Sequence, residues 1–412
     1  MIIMARLLPS QSMAVWFVFL SIFGLASLAE GGFGKIVSRE VAYRGGACGP
    51  DAAAPPEVIT FVAAAAAVYA VLITLICLIG GIAGVVWFKW GMHLGSEPHL
   101  YFAWAIFILG SVVALMSSFV AAVVVGVQDV AAAQKSNSAG AVVSMAVVLS
   151  MLLLTDTLLA PAAGLLCASA TSLWLNRRRL RNFNPDTGAF LVNRIKSSHL
   201  QVVRGLLPDM GRMLLIMTSY QALTSGFVVL LSAYCPLALV ASFGLTMQLV
   251  TIVVLFADTW MTALYPRLAA ARGQGAGVLR RLAIPAMARG ATFVVIGLMA
   301  LLTLGPWLMR QIGSQTNLLE GTVLAVVLLA IGAEYLFSVV AQVPISQGDL
   351  RLAYFSAAAA FAAVAVALAL LSSGTSIADM FAVRLIIYTA VCGLPTTVFC
   401  ARLLTEKRLV AQ

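Results

Sequence analysis

Long unbroken apolar runs, rather than the short periodic alternation of a soluble fold, set the pattern of this chain. Residues 58–88 and 213–257 contain no Asp, Glu, Lys or Arg. Each exceeds the roughly 20 apolar residues that carry one helix through the hydrocarbon core of a bilayer. The second breaks at Tyr234-Cys235-Pro236 into two spans. Read along its whole length, the chain predicts eleven spans, near 13–31, 58–88, 101–131, 138–156, 158–176, 211–233, 237–262, 282–307, 321–346, 352–372 and 377–402. Helices are expected for all of them, because lipid offers backbone N–H and C=O groups no partners. The strand-like alternation of a barrel is missing. Gly80 and Gly84 stand in GxxxG spacing, which lets a neighbour approach closely.

Composition agrees with a chain that uses lipid as solvent. Of 412 residues, 62% are hydrophobic and 10% charged, against roughly 45–50% and 25% in a soluble domain. The net charge of +10 does not describe a nucleic-acid surface, since the basic residues are scattered through short loops. With Arg212 and Arg289 counted in the loops they adjoin, 21 of the 25 Lys and Arg follow odd-numbered spans or lie in the tail. Only Arg6, Lys89 and Arg310 fall on the opposite side, and Arg384 lies inside the last span. Positive residues stay cytoplasmic, so the C-terminus is expected inside and the N-terminus outside.

The six cysteines include no CxxC pair and no metal-ligand spacing. His93, Glu97 and His99 share one outer loop and are read as polar interface residues rather than ligands. No metal and no cofactor is expected. Residues 13–29 are apolar, but no small-residue cleavage site follows, so no signal peptide is expected.

The largest hydrophilic stretch, residues 177–212, opens with Asn176-Arg177-Arg178-Arg179. Further on, Val192, Ile195, Val202, Val203 and Leu206 can share one face opposite Arg194, Ser198 and Arg204. This predicts an interfacial helix beside anionic head groups. The chain thus divides into an N-terminal lobe (1–176), a cytoplasmic basic linker (177–210) and a C-terminal lobe (211–412). An internal repeat supports the division. A shift of 228 aligns Ala29-Glu30 with Ala257-Asp258, Arg39 with Arg267, and Arg44-Gly45 with Arg272-Gly273. A shift of 220 aligns Ser118, Val120, Ala121, Val123 and Asp129 with Ser338, Val340, Ala341, Val343 and Asp349. Matched charges carry weight because charges are rare here. Both copies fall on the cytoplasmic side, which predicts parallel repeats about the membrane normal, a transporter architecture.

The run Gly24-Leu25-Ala26-Ser27-Leu28-Ala29-Glu30-Gly31-Gly32-Phe33-Gly34, with Val37-Ser38-Arg39-Glu40-Val41-Ala42 after it, resembles the second-helix signature of Wzx-type polysaccharide flippases. These share a superfamily with the MATE drug exporters and the lipid II flippase MurJ. The stretch from Ala257-Asp258 to Tyr265-Pro266-Arg267-Leu268-Ala269-Ala270-Ala271 resembles the end of helix eight in the same family. The resemblance implies an all-α protein of the bacterial inner membrane, with two helical lobes enclosing a central cavity that opens alternately to the two faces. Its implied cargo is an undecaprenyl-diphosphate-linked sugar repeat unit. Surrounding lipids, a polysaccharide polymerase and chain-length proteins are the implied partners, and a monomer the implied state. Wzx-like members usually have twelve helices, so helix one is expected to be missing, and Ala5-Arg6-Leu7-Leu8 resembles the segment that closes it. MurJ, with fourteen, fits less well.

Nothing matches a covalent or hydrolytic site, and no enzyme is expected. Gly31–Lys35 is no phosphate loop, because Ala29 replaces its first glycine and Ile36 its Ser/Thr. The informative residues are ionisable ones inside spans, each costly unless paired or solvated. Arg384 and Arg289 are candidates for holding the diphosphate, since a guanidinium binds phosphate in a fork while staying charged. Arg39 either joins them or serves, with Arg267, as a positive-inside anchor. Glu334 is a candidate coupling carboxylate, its protonation linked to opening; alternatively it pairs with Arg384 inside one lobe. Glu30 and Asp258 either gate the cytoplasmic side or bond neighbouring groups there. Tyr220, Gln221, Gln248, Tyr335 and Gln342 either line a sugar path or fill a bundle interior. The expected function is flipping of a lipid-linked oligosaccharide. One rival is a cation-coupled drug exporter, whose cargo would favour a net acidic cavity. Another is a membrane glycosyltransferase or polymerase, which would need a long outer loop bearing catalytic acids.

Overall fold

A computed structural model describes residues 2–26, 33–45, 55–91, 98–127, 129–154, 157–183, 211–271 and 276–405. Among the described residues every regular element is a helix. In chain order these are α1 (Ile2–Leu7), α2 (Ser10–Ala26), α3 (Phe33–Gly45), α4 (Pro56–Val86, closed by a π-turn at Trp87–Gly91), α5 (Pro98–Gly126), α6 (Val130–Leu152) and α7 (Leu159–Phe183). There follow α8 (Gly211–Tyr234), α9 (Leu237–Ala270), α10 (Ala276–Ile312), α11 (Gly321–Ser346), α12 (Leu352–Ser372) and α13 (Ile377–Thr405).

Ten of these, α4 to α13, are long and apolar enough to cross a membrane. The eleventh expected span, near 13–31, is described only in part. Its apolar part is α2, which at 17 residues sits at the lower limit for spanning. Residues 27–32 lie outside the described set, and α3 carries Arg39, Glu40 and Arg44. Two spans match their expected bounds residue for residue, Gly321–Ser346 and Leu352–Ser372. The linker does not begin at 177: α7 runs on to Phe183 through Arg177, Arg178, Arg179 and Arg181. Arginine is a good helix former, cations suit a helix C-terminus, and Arg179 is held by Asp129 at 2.6 Å. The interfacial helix expected over 192–206 lies outside the described residues.

The chain forms two compact units, Ile22–Leu214 and Met1–Ser21 together with Leu215–Gln412. We call them the N-terminal and C-terminal units. The expected division put residues 1–21 with the N-terminal lobe, whereas here they join the C-terminal half. The Ala5 carbonyl accepts bonds from Ser314 Oγ (3.1 Å) and Gln315 N (2.9 Å), and Phe17 lies over Gly244, where a Cβ would collide with its ring.

Each unit is built alike. In the N-terminal unit α3 packs on α4 and α5, α5 on α7, and α6 on α7. In the C-terminal unit α9 packs on α10 and α11, α11 on α13, and α12 on α13. The repeat-related acids open matched helices. Asp129 caps α6 by accepting from Ala132 N (3.1 Å), and Asp349 accepts from Arg351 N (3.1 Å) just before α12. Small residues set the approach distances. A Cβ on Gly110 would meet the Leu166 backbone at 3.0 Å, and one on Gly140 the Ala168 carbonyl at 2.6 Å. Gly84, from the GxxxG pair, receives the Trp104 ring, whose Nε1 donates to Gly81 O (3.3 Å).

Candidate functional site

Three helices of the C-terminal unit, α8, α11 and α13, meet at one guanidinium. Ser376 caps the start of α13, its Oγ accepting from Asp379 N at 3.2 Å, and two turns on the helix delivers Arg384. From α11 comes Glu334, which accepts in bidentate fashion: Arg384 Nε donates to Oε1 and Nη2 to Oε2, both at 2.6 Å. A third bond runs from Arg384 Nη1 to the Leu223 carbonyl of α8 at 2.6 Å. Leu223 sits in a π-turn, Ala222–Gly226. Such a turn inserts an extra residue into the helical ladder and displaces its carbonyls from their usual partners. The guanidinium lies against two aromatic faces, Phe227 at 4.6 Å and Phe381 at 4.8 Å. Phe243 of α9 backs Phe381 at 5.7 Å. Arg384 is 1% exposed and Glu334 12%.

Of the two readings open for Arg384 and Glu334, the pair is the one formed. A buried charge is tolerated only when paired and hydrogen-bonded, and here both conditions hold. Three of the five N–H donors are committed within the protein, so the guanidinium is not presented outward. Phe381, three residues before Arg384, shares its helical face and was readable from spacing. Phe227 and the Leu223 carbonyl were not, because a π-turn has no clear sequence signature.

Nearer the C-terminal end of α9 in the same unit, Asp258 accepts from Gln342 Nε2 of α11 at 2.7 Å and from Thr262 Oγ1 at 3.4 Å. Gly290 of α10 comes close: a Cβ there would stand 3.3 Å from the Ala257 carbonyl and 3.9 Å from the Tyr335 hydroxyl. That hydroxyl is buried without a hydrogen-bond partner among the described residues. Tyr220, half exposed, lies within electrostatic range of Glu334, Asp258 and Arg384.

Arg289 stands apart from both groups. It is exposed on α10, and its guanidinium lies over the Trp260 ring at 5.5 Å. Trp260 in turn leans on Phe293, centroids 6.1 Å apart. Arg289 makes no hydrogen bond or ion pair with a described residue, which leaves its N–H edge open to a ligand.

In the N-terminal unit, Arg39 is buried and lies 3.5 Å from Glu40. Arg44 also reaches Glu40, at 3.5 Å, and stacks over Phe61 at 4.8 Å. Glu30, His93 and Glu97 lie outside the described residues. Among the described residues no group of three His, Cys, Asp or Glu is placed to hold a metal.

Helices of spanning length in two units of matching internal order define the fold of the MATE transporters. Three solved structures carry the comparison. An inward-facing multidrug resistance MATE family transporter of the MOP superfamily superposes with a TM-score of 0.68 at 12% identity, over 99% of this chain and 94% of that one. The MATE multidrug transporter DinF-BH in complex with R6G gives 0.61 at 16%, over 97% and 90%. Lipid II flippase MurJ in an inward closed conformation gives 0.57 at 10%, over 95% and 86%. No family profile and no curated protein sequence matches the chain. At these identities the likeness is one of fold.

Proposed function

We propose that this protein is a flippase of the Wzx type, moving an undecaprenyl-diphosphate-linked oligosaccharide across the bacterial inner membrane by alternating access. One observation carries the reading. Both carboxylates of the C-terminal site are already engaged, Glu334 by Arg384 and Asp258 by Gln342. The exposed cation Arg289 is not. Such a distribution favours an anionic cargo over a cationic one. In this reading Arg289 takes the diphosphate, with Trp260 holding the guanidinium flat so that its donor edge faces the ligand. Arg39 is a second phosphate-binding candidate on the N-terminal unit. Arg384, its donors committed, serves coupling. Protonating Glu334 would dissolve the bidentate bond and free α8, α11 and α13 to shift. Asp258 and Glu30 are the gating candidates.

The reading is tested by deleting the gene and asking which membrane face exposes the lipid-linked oligosaccharide. Cytoplasmic accumulation supports it, and unchanged sidedness removes it. A second reading, export of small cations, is favoured by the aromatic surroundings of Tyr220 and Tyr335 beside two carboxylates. It requires Glu334 to release Arg384 for the drug, and it predicts altered drug sensitivity on deletion.

A further inference from the structure

A separate feature lies at the opposite end of the C-terminal unit, where α10 ends and α11 begins. A cavity of about 280 Å³ opens there, floored by Met309 and Leu318 and rimmed by Arg310, Asn317 and Glu320. That volume accommodates a small polar head group. Its walls are fixed. Gly313, at φ 68°, stops α10, and Gly321, at φ 57°, starts α11. The loop between them is tied to α1 through the two bonds to the Ala5 carbonyl. Arg310 Nε is held against its own helix by Pro306 O at 3.3 Å, which leaves the Nη groups free to turn into the cavity. Arg310 and Glu320 are both exposed and make no ion pair with each other among the described residues. Opposite charges on one small cavity, neither in an ion pair among the described residues, call for a ligand that carries both signs.

Depth in the membrane narrows the ligand further. The distribution of basic residues assigns this end to the outer side. Trp307 is 53% exposed, with Leu304 and Leu308 exposed beside it, as expected for a helix turn at the belt where aromatics meet head groups. Arg310 follows three residues later, roughly 4.5 Å further along the axis, at the level of lipid phosphates. Arg6 is exposed on α1, next to the Ala5 that anchors the loop. Two of the three outer basic residues therefore gather at this corner, against the general exclusion of positive charge from that side.

We propose that this cavity binds the head group of an outer-leaflet phospholipid carrying a phosphate and a primary ammonium, with phosphatidylethanolamine as the ligand. Arg310 takes the phosphate; Glu320 and the Asn317 carboxamide oxygen take the ammonium. This assignment is independent of what the protein transports.

The test uses the full-length protein, stripped of lipid and offered vesicles of equal parts phosphatidylethanolamine, phosphatidylcholine and phosphatidylglycerol, with retained lipid counted by native mass spectrometry. The wild type should retain phosphatidylethanolamine over phosphatidylcholine by about tenfold, the worth of one charge-assisted hydrogen bond. Arg310→Ala should abolish that retention, and Glu320→Gln should bring the two lipids level. Both side chains are exposed, so both variants should melt like the wild type. Equal retention of all three lipids, preference for phosphatidylglycerol, or an unchanged preference in both variants would overturn the proposal. So would glycerophosphoethanolamine displacing the lipid at equimolar concentration, because the ligand would then be a free zwitterion.

Discussion

A single buried guanidinium and its carboxylate hold the centre of the C-terminal unit. Three hydrogen bonds and two aromatic faces surround Arg384, so removing either charged partner leaves the other without its counter-charge in a buried place. Breaking such a pair costs about 3–5 kcal/mol, whereas replacing both members can be nearly neutral. Glu334→Ala alone should therefore lower the melting temperature sharply, and the Glu334→Leu, Arg384→Met double variant should recover most of the loss. A double-variant loss equal to the summed losses of Glu334→Leu and Arg384→Met alone would show that the pair contributes no coupling. Arg289 makes the opposite case. Its cation–π contact at an exposed site is worth about 0.5–1 kcal/mol, so Arg289→Ala should melt close to wild type while losing transport. Arg289→Lys, which keeps the charge but loses the planar fork, should fall between. Normal transport by Arg289→Ala at normal abundance would remove the role in holding phosphate that we propose for it. At this scale the sequence was informative about which residues to watch and less so about their partners. Rarity of charge in apolar spans singled out Glu334, Arg384 and Arg289. The choice between ligand and neighbour for Arg384 rested on Leu223 and Phe227, more than 150 positions away in the chain and unmarked by composition.

Among the helices, bounds were legible where glycine, proline or a capping side chain marked them. Gly321–Ser346 and Leu352–Ser372 were read correctly. Ends that carry arginine were placed too early, because a charge signals the edge of the hydrocarbon core and not the end of a helix. Thus α7 continues to Phe183 and α9 to Ala270. The π-turns at Ala222–Gly226 and Thr389–Gly393 were invisible, since an extra residue in a helical turn leaves an all-apolar pattern unchanged. The GxxxG pair was correctly read as a place of close approach, yet what approaches is an indole. A Cβ on Gly84 collides with Trp104, so Gly84→Ala should cost about 1–3 kcal/mol by overpacking. The Gly84→Ala, Trp104→Ala pair should relieve the collision while losing the ring's own packing. Non-additive melting shifts would verify the contact. Simple additivity would mean that the two positions do not meet.

For the whole molecule, membrane class and repeat were both written in the sequence. Arg39 and Arg267, matched at a shift of 228, lie on the repeat-related helices α3 and α9, and Asp129 and Asp349, matched at 220, precede equivalent helices. The first 21 residues were misassigned because the bonds from Ser314 and Gln315 to Ala5 join segments about 300 positions apart. No local pattern announces such a contact. The proposed function rests on charge: the carboxylates Glu334 and Asp258 are engaged and Arg289 is open, the distribution we propose serves an anionic cargo. The most direct test of that claim is the sidedness of lipid-linked oligosaccharide in a deletion strain, complemented in parallel by the wild-type gene and by Arg289→Ala. The account predicts accumulation on the cytoplasmic face, reversed by the wild type and not by the variant. Unchanged amount and sidedness on deletion would contradict it.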